Sequence, residues 1–177
     1  MLNRKQVVAV AKDVLAQIKV KKFRVKTGIY LGVNLSQEEG AAINDLQDLM
    51  KIKKPCHVCA RGALILSKAN LYNNCPVEMS VWGNMPYIED TAEALSSPDE
   101  GDAFPAKLTA MAETAFEGFT NGKNHEVGCH PSVEYLTAKE HAACLAFYKR
   151  YRKAEDRLVA IMRNIVKNEG RFIPKSV

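Results

Sequence analysis

No apolar run in this chain approaches the roughly 18 residues that a membrane span requires, so no membrane partner is expected. Histidine is scarce, four in 177 residues, and the first is His57. The H-x-E half of the zinc-deaminase pattern would have to precede Pro55-Cys56-His57-Val58-Cys59, so that chemistry is excluded. P-loop, G-x-G-x-x-G, G-x-S-x-G and H-E-x-x-H sequences are missing too. Their absence leaves no cofactor to expect and lowers the odds of an enzyme without excluding one. Arg4 and Lys5 stand near the start, but Lys12, Asp13 and Gln17 interrupt what would be the apolar region of a signal peptide. A cytoplasmic protein is the expectation. The five cysteines, Cys56, Cys59, Cys75, Cys129 and Cys144, are an odd number that suits reduced thiols better than a disulfide framework.

What is present is ample apolar material: 47% of the residues are hydrophobic, enough for one domain over 1–177 with a core that needs no covalent staples. Charge is unevenly spread. Residues 1–70 carry 13 Lys/Arg against 5 Asp/Glu, residues 71–140 carry 3 against 12, and residues 141–177 carry 9 against 3, so the chain reads basic, acidic, basic. Either the acidic middle folds against the basic ends, or the two basic stretches form a surface for an anionic partner.

Asn3 is placed to cap a first helix whose apolar residues Val7, Val8, Ala11, Val14, Leu15 and Ile18 recur at helical spacing. Phe23 to Val33 changes character and reads as one or two short strands or an extended connector. Ser36-Gln37-Glu38-Glu39 is a capping box predicting a helix to about Met50, and Pro55 suits the first turn of another helix running to Asn70. That third helix is apolar nearly all round, with only His57, Arg61 and Lys68 as a polar edge, and belongs in the centre of a domain. Residues 72–102 have weak patterning, with Val77 to Trp82 short and extended. A helix follows from near Phe104-Pro105 to Phe119. Thr137-Ala138-Lys139-Glu140 is a second capping box, opening the longest helical run, to about Asn168, with Gly170 as its stop. Its middle, Lys149 to Arg157, is so charged that it is either exposed on most sides or the place where the helix bends. The predicted fold is mainly α, a single compact domain of about five helices with a small extended or β element near residues 23–33.

Few constellations suggest chemistry. Cys56-x-x-Cys59 and His141-x-x-Cys144 each place two potential zinc ligands on one helical face, but ligand pairs on helices so far apart are atypical. Free cysteines are among the most buried residue types, and packing is the favoured reading of these. A thioredoxin-like site is disfavoured because a capped helix, rather than a strand, is expected ahead of Cys56. Cys129-His130 and His125 with Glu126 form no recognisable dyad. Basic residues cluster at Lys19, Lys21, Lys22, Arg24 and Lys26, at Lys51, Lys53 and Lys54, and at Lys149, Arg150, Arg152, Lys153 and Arg157. Tyr148 and Tyr151 interleave with the last cluster, so phosphates and stacked bases would both find partners there.

Val58-Cys59-Ala60-Arg61-Gly62-Ala63-Leu64-Ile65-Leu66-Ser67 and Ile161-Met162-Arg163-Asn164-Ile165-Val166-Lys167-Asn168-Glu169-Gly170-Arg171-Phe172 resemble segments of small uncharacterised phage- or prophage-type proteins. The resemblance covers about an eighth of the chain and implies an accessory protein of the bacterial cytoplasm, with no catalytic role to transfer. It favours a protein that acts by binding, such as an inhibitor or sequestering protein in phage–host conflict.

The leading functional expectation is therefore a non-enzymatic binding protein. Lys21, Lys22, Arg24, Lys26, Arg61, Lys149, Arg150, Arg152 and Lys153 would meet an anionic partner: nucleic acid, a nucleotide signal or an acidic face of a host protein. One alternative is an interaction module that forms homo-oligomers through its long C-terminal helix. Another is a small zinc protein or enzyme built on Cys56, Cys59, His141 and Cys144.

Overall fold

Helix α1 (Arg4–Lys19) forms because Val7, Val10, Ala11, Val14 and Ile18 repeat at three and four residues and all are buried. Asn3 caps it: its side chain accepts from the Gln6 N–H at 3.0 Å, and the Gln6 carboxamide oxygen accepts from the Asn3 N–H at 2.9 Å. The computed structural model describes residues 1–29, 31–36, 38–39, 43, 45–72, 80–82, 85–87, 104–118 and 135–174. The sequence readings at Cys75, His125, Glu126, Cys129 and His130 lie outside these.

Three short strands follow α1 in space: β1 (Phe23–Val25), β2 (Leu31–Gly32) and β3 (Cys56–Val58), in the order β1-β3-β2. β3 is parallel to β1, with Phe23 opposite Cys56, and antiparallel to β2, with Leu31 opposite Val58. The extended element expected near residues 23–33 is therefore two strands that do not pair with each other but share β3. The expectation of a helix starting at Pro55 is corrected here. Cys56 and Val58 are fully buried with His57 half-buried between them, so a period of two governs these three residues before helical spacing takes over.

A short helix, α2 (Leu46–Lys51), begins at Asp45, whose carboxylate accepts from the Asp48 N–H at 2.8 Å. Of the helix expected from Ser36 to Met50, Glu38 and Glu39 are helical, and regular turns run again over Leu46–Lys51. The reciprocal bonds of the Ser36/Glu39 capping box are nonetheless made, at 3.2 Å and 2.7 Å.

Helix α3 (Ala60–Tyr72) is the centre of the molecule. Every residue from Ala60 to Ala69 is buried, Arg61, Ser67 and Lys68 included. The anticipated polar edge is therefore inside: Arg61 and Lys68 are each 5% exposed. α1, α2, β3 and helix α4 (Ala106–Glu117) pack around α3. A further antiparallel pair, β4 (Ser80–Trp82) and β5 (Met85–Tyr87), lies within the weakly patterned stretch.

The final helical run is broken in two, α5 (Ala138–Arg150) and α6 (Ala154–Lys167), so the described residues contain six helices around one hydrophobic core. The break has an electrostatic logic. Lys149 and Arg150 occupy the last turn of α5, and Glu155 and Asp156 the first turn of α6, each complementing its own helix dipole. The extended backbone at Tyr151 accompanies its ring packing on Phe147, centroids 5.0 Å apart. The apolar face of α6, with Leu158, Ile161, Met162 and Ile165, is buried within the chain's own core.

Helix directions follow from contacts at their ends. Lys21 meets Glu155 at 3.7 Å, and Gly170 packs on the Arg4 backbone so closely that a Cβ would sit 2.7 Å from the carbonyl oxygen; α1 and α6 are therefore antiparallel. Lys107 meets Glu140 at 2.6 Å, and Gly118 abuts the Tyr148 ring, making α4 and α5 parallel. The N-termini of α1, α4 and α5 thus share one end of the molecule.

α1 and α6 both end in Schellman motifs with a non-glycine residue in the left-handed conformation, Lys21 (φ 62°) and Glu169 (φ 53°). At α6 the Gly170 N–H donates to the Ile165 carbonyl and the Glu169 N–H to that of Val166. The expected stop, Gly170, is one residue past the strained one. An L-residue in that conformation costs about 1–2 kcal/mol, more than glycine's extra unfolded-state entropy of about 0.5–1 kcal/mol. Glu169→Gly should therefore raise the melting temperature by a few degrees, and an unchanged or lower value would show that no strain is stored there.

Candidate functional site

Three basic segments distant in sequence are drawn to the end of the molecule opposite those N-termini. The C-terminus of α1 and β1 carry Lys19, Lys21, Lys22, Arg24 and Lys26; the α5–α6 joint carries Lys149, Arg150, Arg152 and Lys153; the segment before β3 carries Lys51, Lys53 and Lys54. The Lys21–Glu155 contact joins the first two, and packing of β1 against α6 brings them together as well. Lys22 joins the third. Its ammonium donates to the carbonyls of Leu49 (2.6 Å), Ile52 (2.7 Å) and Lys54 (2.8 Å), closing the end of α2.

The sequence-derived binding residues therefore divide. Arg24, Lys26, Lys149, Arg150, Arg152 and Lys153 are exposed, and Lys21 is exposed beside Glu155. Lys22 is half-buried and spends its three protons on backbone carbonyls, and burial lowers its pKa against the opposing pull of the Cys56 thiol. It holds the surface together rather than presenting charge. Arg61 is remote from solvent, 3.6 Å from Glu113 and with both side chains almost wholly buried. Tyr148 and Tyr151 already have intramolecular partners: Arg157 lies 4.2 Å over the Tyr148 ring, and Tyr151 packs on Phe147.

Behind this end lies an interior charge cluster that the sequence reading missed. Arg61 from α3 pairs with Glu113 on α4. One turn later Glu117 accepts the Gly28 N–H on both carboxylate oxygens at 3.2 Å, tying the β1–β2 connection to α4. Arg157, read in sequence as part of a basic surface, is 4% exposed, with its guanidinium over Tyr148 and Phe116; its Nε has no hydrogen-bond partner among the described residues. Burial pushes the Glu117 carboxyl up to about 7; Glu113 adds to the rise, and the Gly28 N–H and Arg157 oppose it. A lone acid in the apolar run Ala110–Phe116 and a lone arginine in that of Ala60–Leu66 were the available signals.

The three described thiols, Cys56, Cys59 and Cys144, are buried and structural. Cys56 is 0% and Cys59 2% exposed. The Cys59 sulfur accepts the Gly62 N–H at 3.5 Å and its carbonyl accepts the Ala63 N–H at 3.0 Å, so it acts as the cap of α3. Burial raises the pKa of both thiols, against Lys22 in the case of Cys56 and the Gly62 N–H in that of Cys59. Burial also pushes Cys144 up to about 12, with Glu140 adding to it. A strand does precede Cys59, contrary to the sequence reading, yet protonated, enclosed sulfurs make poor nucleophiles. No group of three or more His, Cys, Asp or Glu residues arranged to hold a metal ion occurs among the described residues. No described helix is long and apolar enough to cross a membrane.

No family model, curated protein or solved structure matches the chain, so its chemistry has to be read from its own residues.

Two outcomes test this interior. Breaking the buried pair from one side, as in Arg61→Met or Glu113→Leu, should cost about 3–5 kcal/mol by chemical denaturation, and the double variant should recover most of it. Strictly additive losses would mean the two charges do not depend on each other. The raised Glu117 pKa means that its contribution to stability is complete below the ordinary carboxylate range and drains away as pH rises through about 7. Glu117→Gln keeps an acceptor for Gly28 and should leave stability nearly unchanged near about pH 4 while raising it near about pH 8. An identical pH profile for both proteins would contradict the assignment.

Proposed function

We propose that this is a non-enzymatic binding protein whose cationic end grips an extended polyanion, the phosphate backbone of a nucleic acid. The observation that supports this is the meeting of the three basic segments at one end. There Lys19, Arg24, Lys26, Lys53, Lys149, Arg150, Arg152 and Lys153 are exposed and have no acidic partner among the described residues. Charges dispersed over three segments suit a long anion, whereas a single nucleotide needs them converging on one pocket. With Tyr148 and Tyr151 engaged inside the molecule, the contacts offered are to phosphate rather than to bases, so recognition is broad in sequence. The resemblance to segments of phage-type proteins supports sequestration during phage–host conflict as the setting of such binding.

Neutralising about five phosphates gives a slope of log affinity against log salt near about −4 to −5 on duplex DNA. Arg150→Glu with Arg152→Glu should reduce that slope by about 2 and weaken binding at low salt by more than about tenfold. Lys22→Met is the converse control, lowering the melting temperature while leaving the slope of the remaining folded protein unchanged. Absence of binding, or binding indifferent to salt, removes the proposal; binding only to an acidic protein replaces it.

A further inference from the structure

At the opposite end of the molecule, a groove of about 640 Å³ lies where the N-termini of α4 and α5, the start of α1 and the C-terminal tail meet. Its floor and walls are largely apolar, drawn from Leu108, Met111, Ala143, Phe172, Ile173 and Pro174. Its polar lining is lopsided in charge, with Arg4, Lys107, Lys139 and Arg171 against the single acid Glu140.

That acid is already neutralised. Glu140 takes Lys107 at 2.6 Å and the Thr137 N–H and hydroxyl at 3.0 Å and 2.9 Å, which hold its carboxyl down at about 2. Arg4, Lys139 and Arg171 remain without a carboxylate partner among the described residues. The N-terminus of α4 adds to the positive potential, since Pro105 caps it with no side-chain acceptor.

The groove is also held open in advance. Asn164 grips the tail from both sides, donating to the Ile173 carbonyl at 2.9 Å and accepting its N–H at 2.8 Å. Phe172 is fixed edge-on against Phe147, centroids 5.3 Å apart. A wall fixed before the ligand arrives costs little ordering entropy on binding.

We propose that this groove binds a free single-chain anionic amphiphile of the fatty-acid class. Its hydrocarbon lies along the Leu108–Met111 and Phe172–Pro174 surfaces, and its carboxylate meets Arg4, Lys139 and Arg171. The volume suits a small molecule. A nucleotide would need several free polar groups for its sugar and base, and the two uncharged or acidic polar side chains here, Thr137 and Glu140, are spent on one another. Its concavity favours a separate molecule over a flat bilayer surface.

The test is calorimetric titration of the full chain with dodecanoate, dodecanol, inorganic phosphate and vesicles containing an anionic lipid. Dodecanoate should bind at least about tenfold more tightly than dodecanol, with phosphate alone not binding measurably. Ala143→Trp should abolish dodecanoate binding by filling the groove. Lys139→Glu with Arg171→Glu, at exposed positions where folding is checked by circular dichroism, should weaken it about tenfold or more. Equal binding of dodecanol, no binding of dodecanoate, or binding untouched by the charge-reversed variant would each overturn the proposal. So would binding to vesicles alone.

Discussion

Helix α3 has to be enclosed. A stretch of ten successive buried residues exposes no face to water, so each of its sides needs a neighbour, and α1, α2, the strand that feeds it and α4 supply them. Enclosure also forces the Arg61–Glu113 pair, because a guanidinium at that depth is tolerable only against a carboxylate at similar depth. The polar groups that accompany it, Glu117 bound to the Gly28 N–H and Arg157 on two aromatic faces, are what lets β1, α4, α5 and α6 close over that region.

Enclosure in turn directs charge outward. With the apolar faces of α1 and α6 turned to the core, their ends are free to carry charge, and the antiparallel pairing of these helices separates two positive regions. One is a spread of exposed lysines and arginines held by the Lys22 clamp; the other is a groove whose cations stand beside apolar walls. The difference between an open surface and a concave one is the physical ground for assigning them different anions.

Much of this was legible in the sequence, for identifiable reasons. The α1 capping residue, the Thr137 box and the central helix followed from spacing alone, and the unusual apolarity of residues 60–69 announced their burial. The strand at Cys56–Val58 was not legible, because three residues leading directly into a helical run are too few to separate one period from the other. The break at Tyr151 was legible in part: the charge of Lys149 to Arg157 left a bend as one of two readings, and spacing alone did not choose between it and an exposed continuous helix. Lys22 could not have been separated from its basic neighbours by sequence, since its role depends on three carbonyls about 30 residues away. The groove cations were equally hidden: Arg4, Lys107, Lys139 and Arg171 belong to four segments that only the helix directions bring together.

The account turns on the thiols of β3 and the start of α3 being sealed inside the protein. Alkylation of the native protein by iodoacetamide, followed peptide by peptide with mass spectrometry, reads this directly. Cys56 and Cys59 should react only at the rate at which the whole molecule opens, accelerating in step with global unfolding as denaturant is added. Rapid labelling of either residue under native conditions, with no such coupling, would mean that α3 is not enclosed and that the arrangement built around it is wrong.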